Sequence, residues 1–445
     1  IVFVVMENVL FFKTIAIDIF NAAIEAVDPY KLSTYYSDNV LEAYNKEHCN
    51  KLNLIGFGKA AFPMAKALGD TIPEIVTTGI IITKYGHVKG ALNNNIEIFE
   101  AGHPIPDKNG LIATKKVIDM LKGTDTRDLV LCLVSGGGSA LLAAPPNGIS
   151  LSEKQQTTEL LLKSGADINE LNAVRKHISA IKGGRLAEIA YPSRVISLIL
   201  SDVIGDPLNV IASGPTSPDN TTYVDAFAVI DKYQLRDKIP ENIMSLLQDG
   251  VKGAINDTPK IGNPVFEKVE NIIIGSNKIA TKTAAKKANE LGFNAMILTS
   301  ELSGDAKEAA KWLAGEALKV QNEKCVAQNK MICLVSGGET TVNVKGNGLG
   351  GRNMELALAF AIEIEGTEGI TLVSAGTDGT DGPTDAAGAV VDGQTIEKAC
   401  KIGLDPNSFL ENNDSYTFFK RTGEILITGS TGTNVMDIQV ILITR

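Results

Sequence analysis

The sequence has few aromatic residues, histidines and cysteines. Aromatic residues make up 5% of the 445 positions, and there is one tryptophan. The four histidines lie far apart and show no HExxH or HxH spacing, which argues against a histidine metal site. The five cysteines are an odd number without a CxxC pair, which argues against a disulfide framework and a zinc cage. We expect reduced core thiols at positions 49, 132, 325, 333 and 400.

Long apolar runs and excess positive charge are also missing. No run approaches the roughly 20 apolar residues of a membrane span. The opening IVFVVM has no basic stretch before it and is followed by Glu7 and Asn8, so we expect no cleaved signal and a cytoplasmic location. The net charge of −10 argues against binding nucleic acid or anionic membranes through bulk charge. An anionic ligand must therefore be held by a local site.

Composition and strand pattern predict a folded α/β protein of two domains. Hydrophobic residues make up 44% and charged residues 21% of the chain, which is typical of a folded globular protein. Its length of 445 residues is more than one ordinary domain has. Short β-branched runs such as LNLIGFG end in glycine or serine and precede helix-like stretches, which predicts βαβ units. Helical spacing over residues 7–47 predicts one or two leading helices. The polar stretch 240–268 sets predicted domains at 1–255 and 256–445, each a mostly parallel sheet flanked by helices.

The string CLVSGG occurs at 132–137 and again at 333–338. Either each domain presents a strand with a glycine turn, or the repeat is chance in a chain rich in glycine and valine. The first copy continues as SGGGS, Ser135 to Ser139, whose successive backbone N–H groups and two hydroxyls predict an anion site. The alternative is a tight turn between closely packed elements.

An earlier glycine turn follows a predicted strand. Gly56, Gly58 and Ala61 fit the pattern G-x-G-x-x-A of dinucleotide sites. Such a site needs an acid at the end of the next strand, but that strand ends in Lys84, which argues against NAD and less strongly against NADP. Lys59 in the turn predicts a compact site for a phosphate or carboxylate, and the alternative is a solvated lysine.

Two further segments of the first half carry charged candidates. Residues 172–187 include Arg175 and Lys182 beside two glycines, which suits an acid substrate or phosphates, unless this is a solvated helix face. Asp202 ends a strong strand, where open α/β sheets bind ligands. It is a candidate to accept a hydroxyl proton or to hold Mg²⁺, and otherwise it caps the next segment.

The second half repeats this combination of glycine turns and charged residues. The segment 336–353 joins SGGET to GNGLGGRN, and Arg352 there is placed to contact a carboxylate or phosphate with two nitrogens, unless it is a buried structural arginine. Asp378, Asp381 and Asp385 follow a strand closely, in a cluster that suits Mg²⁺ but fits no EF-hand.

These residues together favour phosphoryl transfer in a cleft between the two domains. The glycine turns suit phosphates, the basic residues suit an acidic substrate, and the strand-end aspartates suit a metal or a proton. No GxxxxGK[ST] motif and no protein-kinase signature is present, which predicts an atypical kinase.

The sequence strongly resembles the glycerate 2-kinase family, whose C-terminal part is called the MOFRL domain. The resemblance covers about residues 10 to 440. It implies transfer of phosphate from ATP, with Mg²⁺, to the 2-hydroxyl of D-glycerate, and an active site in the interdomain cleft. It rests on the motifs GFGKAA, ITKYGH, EAGHPIPD, SGGGSALL, VRKHISAIKGGRLA, LSDVIGDPLNVIASGPT, GGETTVNVKGNGLGGRN, SAGTDGTDGPTDAAGA and TGSTGTNV.

The resemblance, combined with the residue-level reasoning, gives a set of expected site residues. The catalytic candidates are Lys59, Asp202, Arg352 and Asp378, and the two aspartates are also the candidate Mg²⁺ ligands. The candidates for holding ATP phosphates are Ser135, Gly136, Gly137, Gly138, Ser139, Gly337, Gly338, Glu339 and Thr340. The substrate-binding candidates are Lys59, Arg175, Lys182, Arg352 and Asn353.

The sequence departs from the family pattern at Ser430 and Met436, where the pattern usually reads TGPTGTNVND. This puts the geometry of the last glycine turn in question. Two other functions stay open: an NAD(P)H-dependent hydroxypyruvate reductase, and a non-catalytic protein that binds a sugar acid or phosphate. The expected partners are small molecules only, with neither nucleic acid nor membrane, and a homodimer is left open.

Overall fold

The structure, a computed structural model, describes residues 2–92, 95–322 and 331–444, with side chains from residue 11 onward. It divides into a central unit, Pro29–Ile274, and a terminal unit, Ile1–Asp28 with Gly275–Arg445. The expected boundary near residue 256 therefore differs from the observed one. The strand Val269–Gly275 joins the sheet of the central unit, which carries the boundary past the polar stretch.

The central unit contains a six-stranded sheet with the order β3-β2-β1-β4-β5-β6. All pairings from β3 to β5 are parallel, and β1 and β4 are buried along almost their whole length, as expected for strands covered on both faces. The strands are β1 (Lys51–Phe57), β2 (Val76–Lys84), β3 (Ile96–Ala101), β4 (Asp128–Val134), β5 (Arg194–Leu200) and β6 (Val269–Gly275).

The register of this sheet aligns the ends of its middle strands. Phe57 of β1 lies opposite Val134 of β4, which lies opposite Ile199 of β5. Because parallel strands end at the same edge, the turns that follow β1, β4 and β5 are neighbours.

Some helices of the central unit begin at side-chain caps. Ser150 and Glu153 form a reciprocal capping box, and so do Thr222 and Asp225. Each such cap stabilises its helix by about 1 kcal/mol. The helices are α2 (Pro29–Lys46), α3 (Ala61–Thr71), α4 (Lys108–Leu121), α5 (Gly138–Leu141), α6 (Leu151–Lys163), α7 (Ile168–His177), α8 (Arg185–Ala190), α9 (Tyr223–Lys232) and α10 (Glu241–Val251), with 3₁₀ helices at Ile211–Ser213 and Pro264–Lys268.

The terminal unit contains a second six-stranded sheet, with the order β11-β10-β9-β12-β8-β7. The expected α/β class is confirmed, and the pairing within this sheet is mixed. β7 and β8 are parallel, whereas β12 is antiparallel to both β8 and β9. The strands are β7 (Asn294–Leu302), β8 (Ile332–Gly338), β9 (Ile370–Gly376), β10 (Gly388–Asp392), β11 (Ile425–Leu426) and β12 (Asp437–Ile443).

The direction of β12 has a simple cause. Asp437, its first residue, lies opposite Gly338 and Gly376, the last residues of β8 and β9. The chain enters the sheet at the edge where those two strands end, so β12 runs back between them. The turns after β8 and β9 and the beginning of β12 therefore lie together.

Helices cover this sheet and complete the terminal core. Leu313 of α12 and Leu358 and Phe360 of α13 are fully buried in one apolar cluster with residues of β8 and β12. The predicted leading helices are confirmed, but the two belong to different units. The helices of the terminal unit are α1 (Val2–Glu25), α11 (Asn277–Glu290), α12 (Ala306–Asn322), α13 (Arg352–Glu363), α14 (Thr395–Lys401), α15 (Pro406–Glu411) and α16 (Ser415–Thr422).

The cysteines only partly follow the expectation of core thiols. Cys132 and Cys333 are buried in the two sheets, but Cys49 is half-buried and Cys400 is exposed. These four are free thiols, and Cys325 lies outside the described residues. Within the described part of the chain, no helix is long and apolar enough to span a membrane.

A buried ion cluster holds α1 in the terminal unit. Lys13 Nζ lies 2.8 Å from Asp392 Oδ2 and 2.6 Å from Glu424 Oε1, and the two acidic side chains are 5% and 6% exposed. Burial lowers the pKa of Lys13, but the two carboxylates outweigh this effect and raise it. The charge of Lys13 is therefore needed to compensate two buried acids.

Replacing Lys13 with Met should lower the free energy of unfolding by about 1–3 kcal/mol. The two buried carboxylates then keep the more distant and partly exposed Lys398, whose Nζ lies 3.5 Å from Asp392 Oδ2 and 3.7 Å from Glu424 Oε1. Urea unfolding monitored by fluorescence of the single tryptophan, Trp312 in α12, reports on this unit. Lys66→Met is the control, since its pair with Asp70 is about half exposed and should matter little. Equal midpoints for the two variants would contradict the role of Lys13.

Candidate active site

The turns after β1 and β4 are hydrogen-bonded to each other. Lys59 N donates to Gly136 O at 2.8 Å, and Ala60 N donates to Ser135 Oγ at 3.0 Å. These bonds join the predicted lysine turn to the predicted SGGGS turn. Lys59 is therefore held beside the glycines, as the sequence predicts.

Asp202, which follows β5, lies directly against this pair of turns. A Cβ atom added to Gly136 would be 2.2 Å from Asp202 Oδ2, so only glycine allows the carboxylate to approach so closely. Burial raises the pKa of Asp202, and the charge of Lys59 partly opposes the rise. The structure thus brings together Lys59, Gly136 and Asp202, a cation and an anion at one glycine turn.

Two histidines complete this cluster, and the sequence reasoning did not place them there. A Cβ on Gly137 would lie 2.9 Å from His103 Cδ2 and 3.5 Å from Lys59 Cγ, so both side chains cover this glycine. His87 Nδ1 is 3.1 Å from Lys59 O. Burial and the charge of Lys59 lower the pKa of His103 to about 4, so its ring is neutral at pH 7. The motifs EAGHPIPD and ITKYGH, which follow β3 and β2, were the available signal.

The SGGGS turn satisfies part of its own backbone. Ser135 N donates to Phe57 O, and Gly138 N donates to Ser135 O. Two of the N–H groups expected to face an anion are therefore used inside the protein. Gly137 has a φ of 85°, a left-handed conformation that favours glycine.

The hydroxyl of Ser139 lies in a polar chain that the sequence did not predict. Ser139 Oγ is 2.8 Å from Ser213 Oγ, which donates to Asn172 Oδ1 at 3.0 Å. Because the proton of Ser213 points to Asn172, Ser139 donates its own proton to Ser213. Ser139 is thus available to a ligand as an acceptor rather than as a donor. Ser213 itself has a φ of 63°, an uncommon conformation for serine.

The basic segment 172–187 is folded inward. Gly183 N donates to Ser213 O at 3.0 Å and Gly184 N to Gly214 O at 2.7 Å, which turns Lys182 toward the interior. Lys182 is 0% exposed, and its Nζ lies 3.5 Å from Ala212 O. Lys182 is therefore buried in this structure, and the substrate contact expected of it stays a prediction. Arg175 remains partly accessible, and burial lowers the pKa of both side chains.

In the terminal unit, Arg352 begins α13 with its guanidinium between two acids. Its Nε and Nη2 donate to Asp437 Oδ2 and Oδ1 at 2.6 and 2.9 Å. Its Nη1 lies 2.7 Å from Glu339 Oε1. Burial lowers the pKa of Arg352, but the bond to Asp437 and the nearby carboxylates outweigh this and raise it. Arg352 is fully charged and already paired.

Asn353, a predicted substrate ligand, faces the interior. It is 1% exposed, and its Oδ1 accepts a hydrogen bond from Ser374 Oγ at 2.9 Å. Asp381 Oδ1 and Oδ2 accept from Asn353 N and Met354 N, the first free amides of α13. Burial raises the pKa of Asp381 and outweighs the two backbone bonds, which lower it, so that the pKa is about 7. Asn353 and Asp381 therefore position the start of α13.

The three aspartates of the predicted acid cluster have separate partners. Asp378 Oδ1 accepts from Thr380 N and Oγ1 at 3.0 and 2.9 Å, and Asp385 Oδ1 accepts from Tyr416 Oη at 2.8 Å. Among the residues that the structure describes, no three His, Cys, Asp or Glu side chains come together as a metal cage. Asp378 remains a carboxylate that can offer one oxygen to a ligand.

The SGGET segment at the end of β8 resembles the first glycine turn in what covers its first glycine. A Cβ on Gly337 would lie 2.1 Å from Asn277 Oδ1, much as one on Gly136 would strike Asp202. Glu339 N donates to Leu302 O at 2.8 Å, and Thr340 is 3% exposed. The two copies of CLVSGG thus have a shared structural role, in which a polar side chain covers the first glycine.

Comparison with known proteins shows the family of this chain. Residues 15–248 match a domain of unknown function, DUF4147, and residues 332–437 match the MOFRL family. The chain is 46% identical over 432 residues to the D-glycerate 2-kinase of Thermotoga maritima, covering 97% of this chain and 98% of that protein. It is 41% identical over 438 residues to the glycerate 2-kinase of Pyrococcus horikoshii, covering 97% of each. The chain belongs to the glycerate 2-kinase family.

A solved structure of this family has the same fold. The crystal structure of a glycerate kinase from Thermotoga maritima superposes with a TM-score of 0.88 at 45% identity, covering 97% of this chain and 99% of that one. Recognition of the glycerate 2-kinase family from the sequence motifs is thereby confirmed.

The departures from the glycerate 2-kinase pattern lie in the turn before β12. Met436 has a φ of 70°, a left-handed conformation that asparagine, the residue of the pattern, adopts more readily. Its carbonyl is held by Thr377, whose N and Oγ1 donate to Met436 O at 2.9 and 2.6 Å. These bonds keep the backbone of the turn in place despite the substitution, and Asp437 follows at its expected position.

The cluster around Lys59 can be tested by the titration of His103. In Lys59→Met the pKa of His103 should rise from about 4 toward its ordinary 6.5, without reaching it, because the positive charge is removed while burial stays. NMR titration of the histidine ring protons measures this, with His103→Gln to assign the signal. The exposed Lys115→Met is the control, and an unchanged pKa in Lys59→Met would show that the two groups are not neighbours.

Proposed function

We propose that this chain transfers the γ-phosphoryl group of ATP to the 2-hydroxyl of D-glycerate, giving 2-phosphoglycerate and ADP. Membership of the glycerate 2-kinase family supports the reaction class. The observation that carries the proposal is the meeting of Asp202 and Lys59 at Gly136, which provides a base and a cation at one point. Phosphoryl transfer depends mainly on such positioning and charge stabilisation.

Asp202 acts as the base for the acceptor hydroxyl. Burial raises its pKa, which makes its carboxylate a better proton acceptor than an exposed aspartate. The hydroxyl oxygen of glycerate forms a bond to the γ-phosphorus, and its proton passes to Asp202. The bond from that phosphorus to the bridging oxygen breaks, and ADP leaves with the electron pair.

Lys59 and Arg352 bind the negative charges of the reactants. Lys59 neutralises developing charge beside Asp202, and Arg352, whose Nε and Nη2 are held by Asp437, presents Nη1 to an oxygen of the carboxylate or phosphoryl group. Arg175, which is partly accessible, is a further ligand for the glycerate carboxylate. The remaining N–H groups of Ser135 to Ser139 and of Gly337 to Thr340 hold ATP phosphates.

The residues present fit a magnesium ion that arrives with ATP. Mg²⁺ is commonly bound by one or two carboxylates together with substrate phosphates rather than by a protein cage. Asp378 fits such a role, because only its Oδ1 is engaged by Thr380. Asp202, the other candidate, lies beside Lys59, which competes with a cation. When bound, the ion would neutralise phosphate charge during transfer.

The decisive experiment measures ADP release from ATP, Mg²⁺ and D-glycerate, with phosphorus NMR to identify the product. Phosphate on carbon 2 would support the proposal, phosphate on carbon 3 would contradict its regiochemistry, and chelation of Mg²⁺ should stop the reaction. Oxidation of NADPH by hydroxypyruvate without ADP release would instead indicate a reductase. Binding of D-glycerate with neither reaction would indicate a non-catalytic protein.

Single substitutions should separate the roles of the charged residues. Asp202→Asn should lower kcat by a factor on the order of 10² to 10⁴, because the amide cannot accept the proton. Lys59→Ala and Arg352→Ala should each lower kcat on the order of 10² to 10³. Arg352→Ala should also lower the melting temperature, because Asp437 stays buried without its partner.

The matched controls for these variants are Asp119→Asn and Lys115→Ala, two exposed residues of α4. They should keep full activity. Full turnover of Asp202→Asn would remove Asp202 as the base.

Gly136→Ala tests the close approach of Asp202 without touching a charged residue. The added methyl group would displace the carboxylate, so kcat should fall on the order of 10² while the circular dichroism spectrum stays unchanged. Gly123→Ala is the control, since its Cβ would make an ordinary contact 3.4 Å from Met120 O. Similar turnover of both variants would show that the position of Asp202 does not matter.

A further inference from the structure

The guanidinium of Arg352 is used differently on its two sides. The edge formed by Nε and Nη2 is paired with both oxygens of Asp437, at 2.6 and 2.9 Å. The remaining nitrogen, Nη1, is paired with Glu339 at 2.7 Å. A planar guanidinium held by one whole edge cannot rotate, so the direction of Nη1 is fixed.

The Asp437 side of this arrangement is built into the fold. Asp437 is 1% exposed and begins β12, opposite the ends of β8 and β9. Its backbone carbonyl accepts a hydrogen bond from Asn277 Nδ2 at 2.8 Å. The backbone of Asp437 is therefore fixed, and its buried carboxylate orients the guanidinium through both oxygens.

The Glu339 side is open to exchange. The side chain of Glu339 is 43% exposed and that of Arg352 is 33% exposed at this contact. An ion pair with this exposure contributes little to stability, so another anion can replace its carboxylate at a small cost in free energy. Glu339 follows Gly338 in the turn predicted to bind phosphates, so an exchanged ligand would enter at that turn.

Charge explains why Glu339 must move when an anion binds. With Asp437 and Glu339 both beside it, the single positive charge of Arg352 faces two carboxylates. A further anion at Nη1 would be repelled by Glu339 unless Glu339 left. Arg352, which matches the family's active-site arginine, thus carries an internal anion on Nη1.

We propose that Asp437 is the positioning residue for Arg352, and that Glu339 occupies the place of the reactant oxyanion until the reactant displaces it. The proposal rests on the proposed function for the nature of that oxyanion, which is either the carboxylate of glycerate or a phosphate of the nucleotide. Both present the same chemistry to Nη1, a planar or tetrahedral group of negatively charged oxygens.

Isothermal titration of Glu339→Gln with D-glycerate and, separately, with ADP in the absence of Mg²⁺ tests the displacement. Removing the competing charge should tighten binding of one of the two by a factor of roughly 3 to 10, since a surface ion pair of this kind is weak. The ligand that gains identifies the source of the oxyanion. Glu308→Gln, an exposed residue that pairs with Lys311 in α12, is the control and should leave both affinities unchanged.

Unchanged or weaker binding of both ligands in Glu339→Gln would overturn the proposal. A higher Mg²⁺ requirement as the sole change would also overturn it and would make Glu339 a metal ligand. The titration needs no turnover, so it is independent of the kinase assay. If the unmodified chain binds both ligands but releases no ADP, the proposed function fails while the displacement is still decided.

Asp437→Asn tests the positioning role, because the amide offers one oxygen to the Nε and Nη2 edge where the carboxylate offers two. KM for the ligand found by titration should rise at least about tenfold, with a smaller fall in kcat, if oriented binding is lost. Asp437→Glu, which keeps both oxygens, should recover part of the loss. In protein labelled with ¹⁵N arginine, the Nε–H signal of Arg352 should persist in Glu339→Gln and shift in Asp437→Asn.

An Nε–H signal that is the same in both variants would show that Asp437 does not orient Arg352. A variant of Asp437 that fails to fold, as judged by its melting curve, leaves the titration of Glu339→Gln to decide the displacement. Arg352→Lys then decides orientation: a lysine lacks the paired edge, and binding as tight as in the unmodified chain would overturn the positioning role.

Discussion

The absence of a side chain at Gly136 allows the carboxylate of Asp202 to rest against the backbone of the first glycine turn. The parallel register of β1, β4 and β5 brings the three strand ends level, and the bond from Lys59 N to Gly136 O joins the first two turns. The positions of Asp202, the proposed base, and of the neighbouring Lys59 both depend on this contact. A bulkier residue at 136 would separate them without disturbing either strand.

The terminal unit uses the same kind of turn for a different purpose. At Gly337 the covering side chain is Asn277, a neutral amide, where the central unit places the acid Asp202. The charged group of the terminal unit is Arg352, and it is fixed from the side by Asp437. The same backbone motif is therefore covered by a carboxylate in one unit and by a neutral amide in the other.

Much of the fold and part of the site follow from the sequence. The strand and glycine motifs predict the α/β class, the positions of Lys59 and Arg352 at glycine turns and that of Asp202 at a strand end, because strand ends and turns are encoded locally. The strand DIQVILI was not assigned, and its place between β8 and β9 depends on long-range pairing that no local pattern reports. The mixed pairing of the second sheet was missed for this reason.

Two of the expected site residues, Lys182 and Asn353, are buried for a common physical reason. Lys182 and Asn353 carry polar groups suited to a ligand, but both are turned into the protein by hydrogen bonds to residues remote in sequence. His103 shows the reverse, since its role follows from contact with Gly137 in another strand's turn. Residue type and spacing predict which groups are present, while tertiary contacts decide which of them face the site.

The division of the chain also sets an order of assembly. All the strands of the central sheet lie within one continuous stretch, so this unit has its partners as soon as that stretch leaves the ribosome. Helix α1 emerges earlier, yet the acids that compensate Lys13, Asp392 and Glu424, are made several hundred residues later. An entire unit is therefore synthesised while α1 still lacks its docking site, which makes α1 the segment with the longest exposure to chaperones and proteases during synthesis.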